Sequence, residues 1–278
     1  MYMILTKKNI VFIILSLALI IGFTFACKHF ISASKNTNWG LSFKKQGERP
    51  TGNATPEYLK EFNSYFIAPE GNKKIYITFD AGYEAGYTPK ILGVLEKHNV
   101  KATFFVVGKE GYNDQYRRIV QDGHTLGMHS YSHVYRDIYQ SVEAYSQDLE
   151  KLHTYLYELT GVDSRIVRLP GGSSNTICRN GIQDILAYLG QEGITYYDWN
   201  VSSGDAASGY ISAQQIADNV LDHVDQHNTS IVLMHDASGK NTTVEALPII
   251  IEKILESENT VLLPITEDTV PIQHVQAE

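Results

Sequence analysis

The sequence of 278 residues predicts an α/β fold, a (β/α)7-type barrel that follows an N-terminal membrane anchor. Seven β-rich runs alternate with helical segments between Lys74 and Pro264, one long apolar run stands near the N-terminus, and no internal repeat is present. Strands that alternate with helices form parallel βαβ units. We therefore expect a closed or nearly closed barrel, with a doubly wound open sheet as the alternative.

The predicted strands are short and rich in apolar and β-branched residues, as in IYITFD and SIVLMH. They span residues 75–80, 102–107, 124–128, 166–169, 195–199, 230–235 and 261–264. Helices are predicted at residues 88–98, 114–122, 142–160 and 181–191, with two more after residues 212 and 242.

Local signals mark the helix ends. Thr88 is the predicted cap of the first helix, with Pro89 in its first turn. Gly161 ends the long helix. Residues 212–215 and 242–245 each have the pattern of a capping box, and Pro248 predicts a kink in the last helix.

The N-terminus predicts an uncleaved signal-anchor. Residues 10–27 form an apolar segment flanked by Lys7, Lys8 and Lys28, and its apolar run reaches about 26 Å as a helix. Residues 1–9 are then a cytoplasmic stub. Residues 28–71 are a polar spacer with a short helix at 58–66, residues 72–268 form the domain, and residues 269–278 are a tail.

Two alternatives concern the same segment. Cleavage in the region of residues 32–34 would release a secreted protein, and lipid attachment at Cys27 is the weaker possibility because the preceding residues lack the usual leucine. We expect a single-pass protein of the cell membrane whose domain is extracytoplasmic, or a secreted one after cleavage.

Composition excludes several classes of protein. The hydrophobic fraction of 43% is that of a globular protein, and the net charge of −8, with all of the acidic residues after the first 35, argues against a nucleic-acid partner. The two cysteines, Cys27 and Cys178, lie too far apart in the predicted organisation to pair. Neither a disulfide scaffold nor a Cys-x-x-Cys metal site is therefore expected.

Polar side chains follow the predicted strands at their carboxyl ends. They are Asp80, His129, His133, Arg168, Asp205 and His235. Each alone has an ordinary structural explanation, such as a helix cap or a solvated loop. In barrels and open sheets alike, functional residues gather at this end of the strands. Because packing does not require so many polar groups at one mouth, we interpret them as one site.

The chemistry of these residues predicts metal-assisted hydrolysis. His129 and His133 are one helical turn apart if helical, and two imidazoles are suitable ligands for a zinc-like ion that keeps open positions. Such an ion lowers the pKa of bound water from about 15.7 to about 7. Asp80 would accept the proton of water and His235 would protonate the leaving amine.

Five motifs occur in the order found in a known family. They are TFDAG at residues 78–82, HSYSH at 129–133, RLPGG at 168–172, WNVSSGD at 199–205 and LMH at 233–235. Over residues 74–264 the chain resembles the NodB-type polysaccharide deacetylases, carbohydrate esterase family 4. The resemblance implies a distorted barrel, the NodB homology domain. It also implies hydrolysis of an N-acetyl group of an amino sugar, a carbon–nitrogen bond of a linear amide.

The resemblance implies a role for each catalytic residue. Asp80 is the base and Arg168 orients it. His235 is the acid and Asp205 holds it.

Further roles follow for ligand and substrate contacts. His129 and His133 are implied as metal ligands, the backbone N–H of Gly171 as an oxyanion donor, and Leu233 as a wall for the acetyl methyl group. Tyr131, beside the second motif, is expected to stack on a sugar ring, or else to fill an edge of the core.

Two residues depart from the family pattern. Ala81 stands where the family has a second aspartate, the third metal ligand, and Ala206 stands where it tends to have tryptophan. We expect a divalent metal, zinc in the first place, with cobalt or manganese as alternatives. Its binding should be weak unless Asp80, another group or the substrate completes the site. Residues 78–108 resemble a subgroup of deacetylases from Gram-positive bacteria that also lacks this aspartate and acts on peptidoglycan.

The leading hypothesis is a membrane-anchored peptidoglycan deacetylase whose partners are glycan strands. The motif RLPGG favours N-acetylglucosamine as its substrate, and the product would resist lysozyme-like hydrolases. N-acetylmuramic acid (the muramic lactam type) is the alternative sugar. Two further hypotheses are a catalytically impaired glycan-binding protein and an esterase or amidase that acts on a different acylated substrate.

Overall fold

The computed structural model describes residues 41–42, 51–52, 73–82, 86–178, 181–207 and 209–277. The predicted stub, the signal-anchor at residues 10–27 and the helix at 58–66 lie outside the described residues. None of the helices in the described part of the chain combines the length and the apolar character needed to cross a membrane.

Ten strands and seven α-helices are described. The strands are β1 (Leu41–Ser42), β2 (Thr51–Gly52), β3 (Lys73–Ala81), β4 (Thr103–Val107), β5 (Thr125–Ser130), β6 (Ile166–Val167), β7 (Thr195–Tyr196), β8 (Val201–Ser202), β9 (Thr229–Asp236) and β10 (Thr260–Leu262). The helices are α1 (Thr88–Lys97), α2 (Asn113–Gln121), α3 (Tyr135–Ile138), α4 (Val142–Thr160), α5 (Ile182–Gln191), α6 (Ala213–Val224) and α7 (Asn241–Leu255). β1 and β2 form an antiparallel pair of their own.

The other eight strands form one parallel sheet in the order β7-β6-β5-β4-β3-β9-β8. β10 pairs with the first residues of β3, on the same edge of β3 as β4. From β3 the strand numbers rise along the sheet to the edge strand β7, and on the other side of β3 lie β9 and the second edge strand, β8. The two edge strands, β7 and β8, follow each other in the chain. This is a parallel half-barrel, which confirms the predicted α/β barrel in its coarse form. It has one strand more than predicted, because the fifth predicted strand ends at Tyr196 and β8 follows it.

The C-terminal residues lie against the chain between these two edges. The backbone N–H of Asp198 donates to Ile272 O at 2.7 Å, and the N–H of His274 donates to the Asp198 carboxylate at 2.8 Å. Ile272 and His274 are buried. Residues after β10 thus pack on the open side of the half-barrel.

Alternation along β3 determines which side chains point into the barrel. Ile75, Ile77 and Phe79 belong to the large cluster packed by the helices, whereas Tyr76 belongs to a second, smaller apolar cluster. Successive side chains of a strand point to opposite faces. Asp80 therefore shares the face of Tyr76 and lies above the apolar filling of the barrel.

The helix signals were partly right. Ser212 caps α6 by accepting from Gln215 N at 3.2 Å, and Gly161 ends α4 at φ 75°. Thr88 is not a cap: Tyr87 takes that position, and the Thr88 hydroxyl donates to Asp236.

The second predicted capping box is also wrong. α7 begins at Asn241 without a side-chain cap and continues past Pro248 to Leu255. Thr242, the predicted cap, lies inside the helix, and the neighbouring Thr243 donates its hydroxyl to Asp205 at 2.9 Å. At the first of these helices, the Thr88 hydroxyl is held by the buried Asp236 carboxylate and does not cap the helix.

Candidate active site

Asp80, near the end of β3, is buried and paired with Arg168. Arg168 Nη1 donates to Asp80 Oδ1 at 2.8 Å and to the Thr78 hydroxyl at 2.6 Å. Burial raises the pKa of Asp80, but the Arg168 charge and the nearby His129 and His235 outweigh it and hold that pKa below its ordinary value. Asp80 is thus an ionised carboxylate in a largely enclosed place.

Arg168 is itself fully buried and fixed on every side. Its Nε donates to Tyr197 O at 2.8 Å and its Nη2 to Asp198 O at 3.0 Å. The guanidinium carbon lies 4.3 Å from the centre of the Phe105 ring. A planar guanidinium held in this way presents one orientation to Asp80.

His129 lies on β5 with its ring tautomer defined by its surroundings. Its Nδ1 lies 2.6 Å from the backbone carbonyl of Arg168, which can only accept, so Nδ1 carries the proton and Nε2 is the acceptor. Nε2 lies 3.9 Å from Asp80 Oδ2, too far for a hydrogen bond. Burial lowers the pKa of His129. A neutral imidazole with a free acceptor nitrogen is the form that binds metal.

His133 lies in the loop after β5 rather than on a helix, so the helical spacing of the two histidines is not realised. Its φ of 54° is in the left-handed region, and its ring centre lies 5.1 Å from that of His129. Burial, helped by His129, lowers the pKa of His133 to about 4. The loop therefore turns sharply to bring a second neutral imidazole beside the first.

Asp148 of α4 holds this loop. Its carboxylate accepts from the Ser130 hydroxyl at 2.6 Å, from Tyr131 N at 2.7 Å and from Ser132 N at 2.9 Å. Ser130 Oγ in turn accepts from His133 N at 2.8 Å. Sequence reasoning missed Asp148, since a polar residue on an amphipathic helix gives no sign of what it bonds.

Asp205 and His235 form a second buried pair. Asp205 Oδ1 lies 2.7 Å from His235 Nδ1, and Oδ2 accepts from His235 N at 2.8 Å and from Thr243. Burial lowers the pKa of His235, but the Asp205 charge outweighs it and raises that pKa above its ordinary value. His235 is thus favoured in its protonated form, with Nε2 left to donate.

Three further residues were named from the sequence as substrate contacts: Gly171, Leu233 and Tyr131. Gly171 has φ 79°, and a Cβ there would lie 3.1 Å from the Tyr135 ring. Leu233 is buried in the apolar cluster inside the barrel. The Tyr131 ring lies against α4, where Lys151 Nζ is 3.9 Å from its centre and Tyr155 contacts it edge-on.

His129 and His133 are suitable as two ligands of a divalent metal. Both imidazoles are neutral and adjacent, but Ala81 offers no third ligand. Among the described residues, no group of three His, Cys, Asp or Glu side chains is arranged to hold a metal ion.

The half-barrel and the two acid–base pairs at its mouth define a hydrolase of the α/β barrel class. The model of the family "Polysaccharide deacetylase" matches residues 68–188. PdaA of Bacillus subtilis (strain 168), a peptidoglycan-N-acetylmuramic acid deacetylase, is 30% identical over 217 residues, which are 73% of this chain and 76% of PdaA.

Two solved structures are also similar. The catalytic domain of peptidoglycan N-acetylglucosamine deacetylase from Eubacterium rectale ATCC 33656 is 40% identical with a TM-score of 0.69, over 76% of this chain and 96% of that chain. BA3943, a CE4 family pseudoenzyme from Bacillus anthracis, is 26% identical with a TM-score of 0.56, over 70% of this chain and 67% of that chain.

The chain belongs to the polysaccharide deacetylase family, the NodB-type family of carbohydrate esterase family 4, whose enzymes are hydrolases of amide bonds. The family resemblance drawn from the five sequence motifs is confirmed.

Proposed function

We propose that this chain removes the acetyl group of N-acetylglucosamine in peptidoglycan by hydrolysis, with a divalent metal held by His129 and His133. The observation that carries the proposal is the pairing of β3 with β9, which sets Asp80 and His235 side by side in register. The pKa of Asp80 is lowered and that of His235 is raised. Groups with pKa values displaced in opposite directions suit a base and an acid of one reaction.

Asp80 is the proposed base. Its Oδ1 accepts from Arg168, so Oδ2, the oxygen that faces His129, is the one that receives the proton of the attacking water. Arg168 keeps the carboxylate ionised before the reaction and fixes its orientation.

His235 is the proposed acid. Its Nδ1 is held by Asp205, so its Nε2 proton goes to the nitrogen of the scissile amide as the carbon–nitrogen bond breaks. The reaction consumes one water and yields acetate and the free amine of the sugar.

The bound metal would polarise the acetyl carbonyl and lower the pKa of water, and zinc is the proposed metal, with cobalt and manganese as substitutes. Gly171 donates its backbone N–H to the developing oxyanion, and Leu233 packs on the acetyl methyl group. The positive φ at Gly171 supports this role, since a side chain there would be strained and would crowd Tyr135.

The choice of sugar rests on the Eubacterium rectale structure, which is more similar in sequence to this chain than PdaA is. We also infer that residues 10–27 anchor the chain in the cell membrane with the domain outside, where peptidoglycan is the adjacent acetylated polymer. Protease digestion of intact cells, with loss of the domain, tests that topology.

A second candidate is a glycan-binding protein without turnover. Ala81 supports it, as does the similarity to the BA3943 pseudoenzyme. Against it, both acid–base pairs are complete, and binding alone does not need them.

Acetate release from N-acetylglucosamine oligomers and from peptidoglycan, with zinc supplied, tests the proposal. We expect release by the wild-type chain and release that is slower by about 10²–10⁴-fold in Asp80→Asn. Absence of release by the wild-type chain on both substrates would favour the binding protein.

A further inference from the structure

An open surface groove of about 460 Å³ lies along α4, outside the group formed by Asp80 and His235. We call it the α4 groove. It is lined mainly by Tyr131, Gln147, Glu150, Lys151 and Tyr155. The four α4 residues follow the spacing of three or four positions that places side chains on one face of a helix.

The groove begins at the loop after β5, which carries His133. Tyr131 lies in the chain between the two histidines, and its ring lines the groove. Gly108 N donates to Tyr131 O at 3.0 Å, and a Cβ on Gly108 would lie 2.3 Å from the ring, so only glycine fits under it. Lys151 and Tyr155 hold its other sides. The ring is therefore held in place with both faces covered, and it forms part of the wall of the groove.

The lining chemistry fits a carbohydrate. The Tyr155 ring offers an apolar surface, while an amide, a carboxylate and an ammonium group, from Gln147, Glu150 and Lys151, offer acceptors and donors for hydroxyl and acetamido groups. The groove also contains Glu158, so its carboxylates outnumber its one ammonium group. A polyanion would be repelled, but an uncharged sugar would not.

We propose that the α4 groove is a second glycan-binding site, which holds acetylated amino-sugar residues of the strand whose neighbouring residue occupies the catalytic mouth. The proposal deepens the proposed function and rests on it for the identity of the glycan. It accounts for the position of Tyr131, whose side chain the proposed reaction does not use.

Tyr155→Ala tests the groove, with Tyr157→Ala as its matched control. Tyr157 lies two positions further along the same helix, is 52% exposed, and stacks on His153 rather than lining the groove. For long N-acetylglucosamine oligomers we expect KM to rise about tenfold in Tyr155→Ala and to stay unchanged in Tyr157→Ala. For the shortest oligomer that is turned over, we expect kcat to be the same in all three chains.

Because Tyr155 also packs on Tyr116, its removal affects the core. Gln147→Ala removes an exposed groove side chain without that contact and is measured in parallel, with thermal unfolding of each variant. An equal KM for long oligomers in the wild-type chain, Tyr155→Ala and Gln147→Ala would overturn the proposal.

Binding separates this proposal from the proposed function. If the wild-type chain releases no acetate, calorimetric titration with long oligomers still tests the groove, and we expect weaker binding in Tyr155→Ala than in Tyr157→Ala. If Tyr155→Ala weakens binding of peptide-bearing peptidoglycan but not of the peptide-free oligomers, the groove binds the peptide. The assignment of the groove to a glycan would then be wrong.

Discussion

Asp80 and His235 are register partners on neighbouring parallel strands, β3 and β9, which places their backbones about 4.8 Å apart at the same end of the sheet. Each has its own buried partner, Arg168 for the carboxylate and Asp205 for the imidazole. Strand pairing, rather than a flexible loop, thus sets the separation of the proposed base and acid.

Asp205→Asn should shift the pH dependence of kcat. The Asp205 charge raises the pKa of His235, so the protonated acid persists above the ordinary histidine value of about 6.5 in the wild-type chain. Without that charge, the alkaline limb of the pH–rate profile should move to lower pH, and kcat near pH 7 should fall about 10²–10⁴-fold. Initial rates between pH 5 and 10 measure both.

The matched control is Asp163→Asn, whose exposed carboxylate lies before β6 and bonds His153 and Arg165. An alkaline limb at the same pH in Asp205→Asn and the wild-type chain would show that His235 is not the acid.

Ala81→Asp should tighten metal binding. The resemblance places the third ligand of the family at this position, and we expect zinc affinity to rise about 10–100-fold, by analogy with the effect of groups that support metal ligands. Calorimetric zinc titration measures it. Ala206→Asp adds the same charge elsewhere at the mouth and serves as the control; equal gains in both variants would point to a general charge effect.

Asp148→Asn should weaken metal binding without changing the acid–base pairs. Both oxygens of Asp148 accept hydrogen bonds, whereas an asparagine side chain has only one acceptor oxygen. The hydrogen bonds from Ser130, Tyr131 and Ser132 therefore cannot all persist, and the loop that carries His133 loses its support. We expect zinc affinity to fall at least about tenfold. Cobalt absorption spectra of Asp148→Asn and Asp148→Glu report the ligand geometry; unchanged spectra and affinity in Asp148→Asn would contradict this role.

Asp80→Asn should separate turnover from binding. The amide cannot take a proton from water, so kcat should fall about 10²–10⁴-fold, while the affinity for N-acetylglucosamine oligomers should change little. Rate and titration calorimetry on one preparation give both values. Full activity in this variant would exclude Asp80 as the base.

The residues of the mouth could be predicted because parallel strands place their carboxyl ends together. Asp80, His129, Arg168 and His235 lie there as predicted, and six of the seven predicted strands coincide with described ones to within two residues. The two-residue strand β8 was not predicted, since a pair of residues carries no periodicity.

Other features depend on tertiary contacts that no local pattern contains. The left-handed backbone of His133 is unusual for a residue other than glycine, and it depends on Asp148, which lies in another element. Likewise, Thr88 looks like a helix cap in sequence, but its hydroxyl donates to Asp236 of β9.

Mass spectrometry of muropeptides, after treatment of peptidoglycan with the full-length chain with and without a chelator, tests the central claim most directly. We predict loss of about 42 Da per acetyl group, located by fragmentation on glucosamine, and no loss with the chelator present. An unchanged mass with zinc, cobalt or manganese supplied would contradict the proposed hydrolysis. Loss on muramic acid would contradict the choice of sugar, and loss that persists in chelator would contradict the role of the metal.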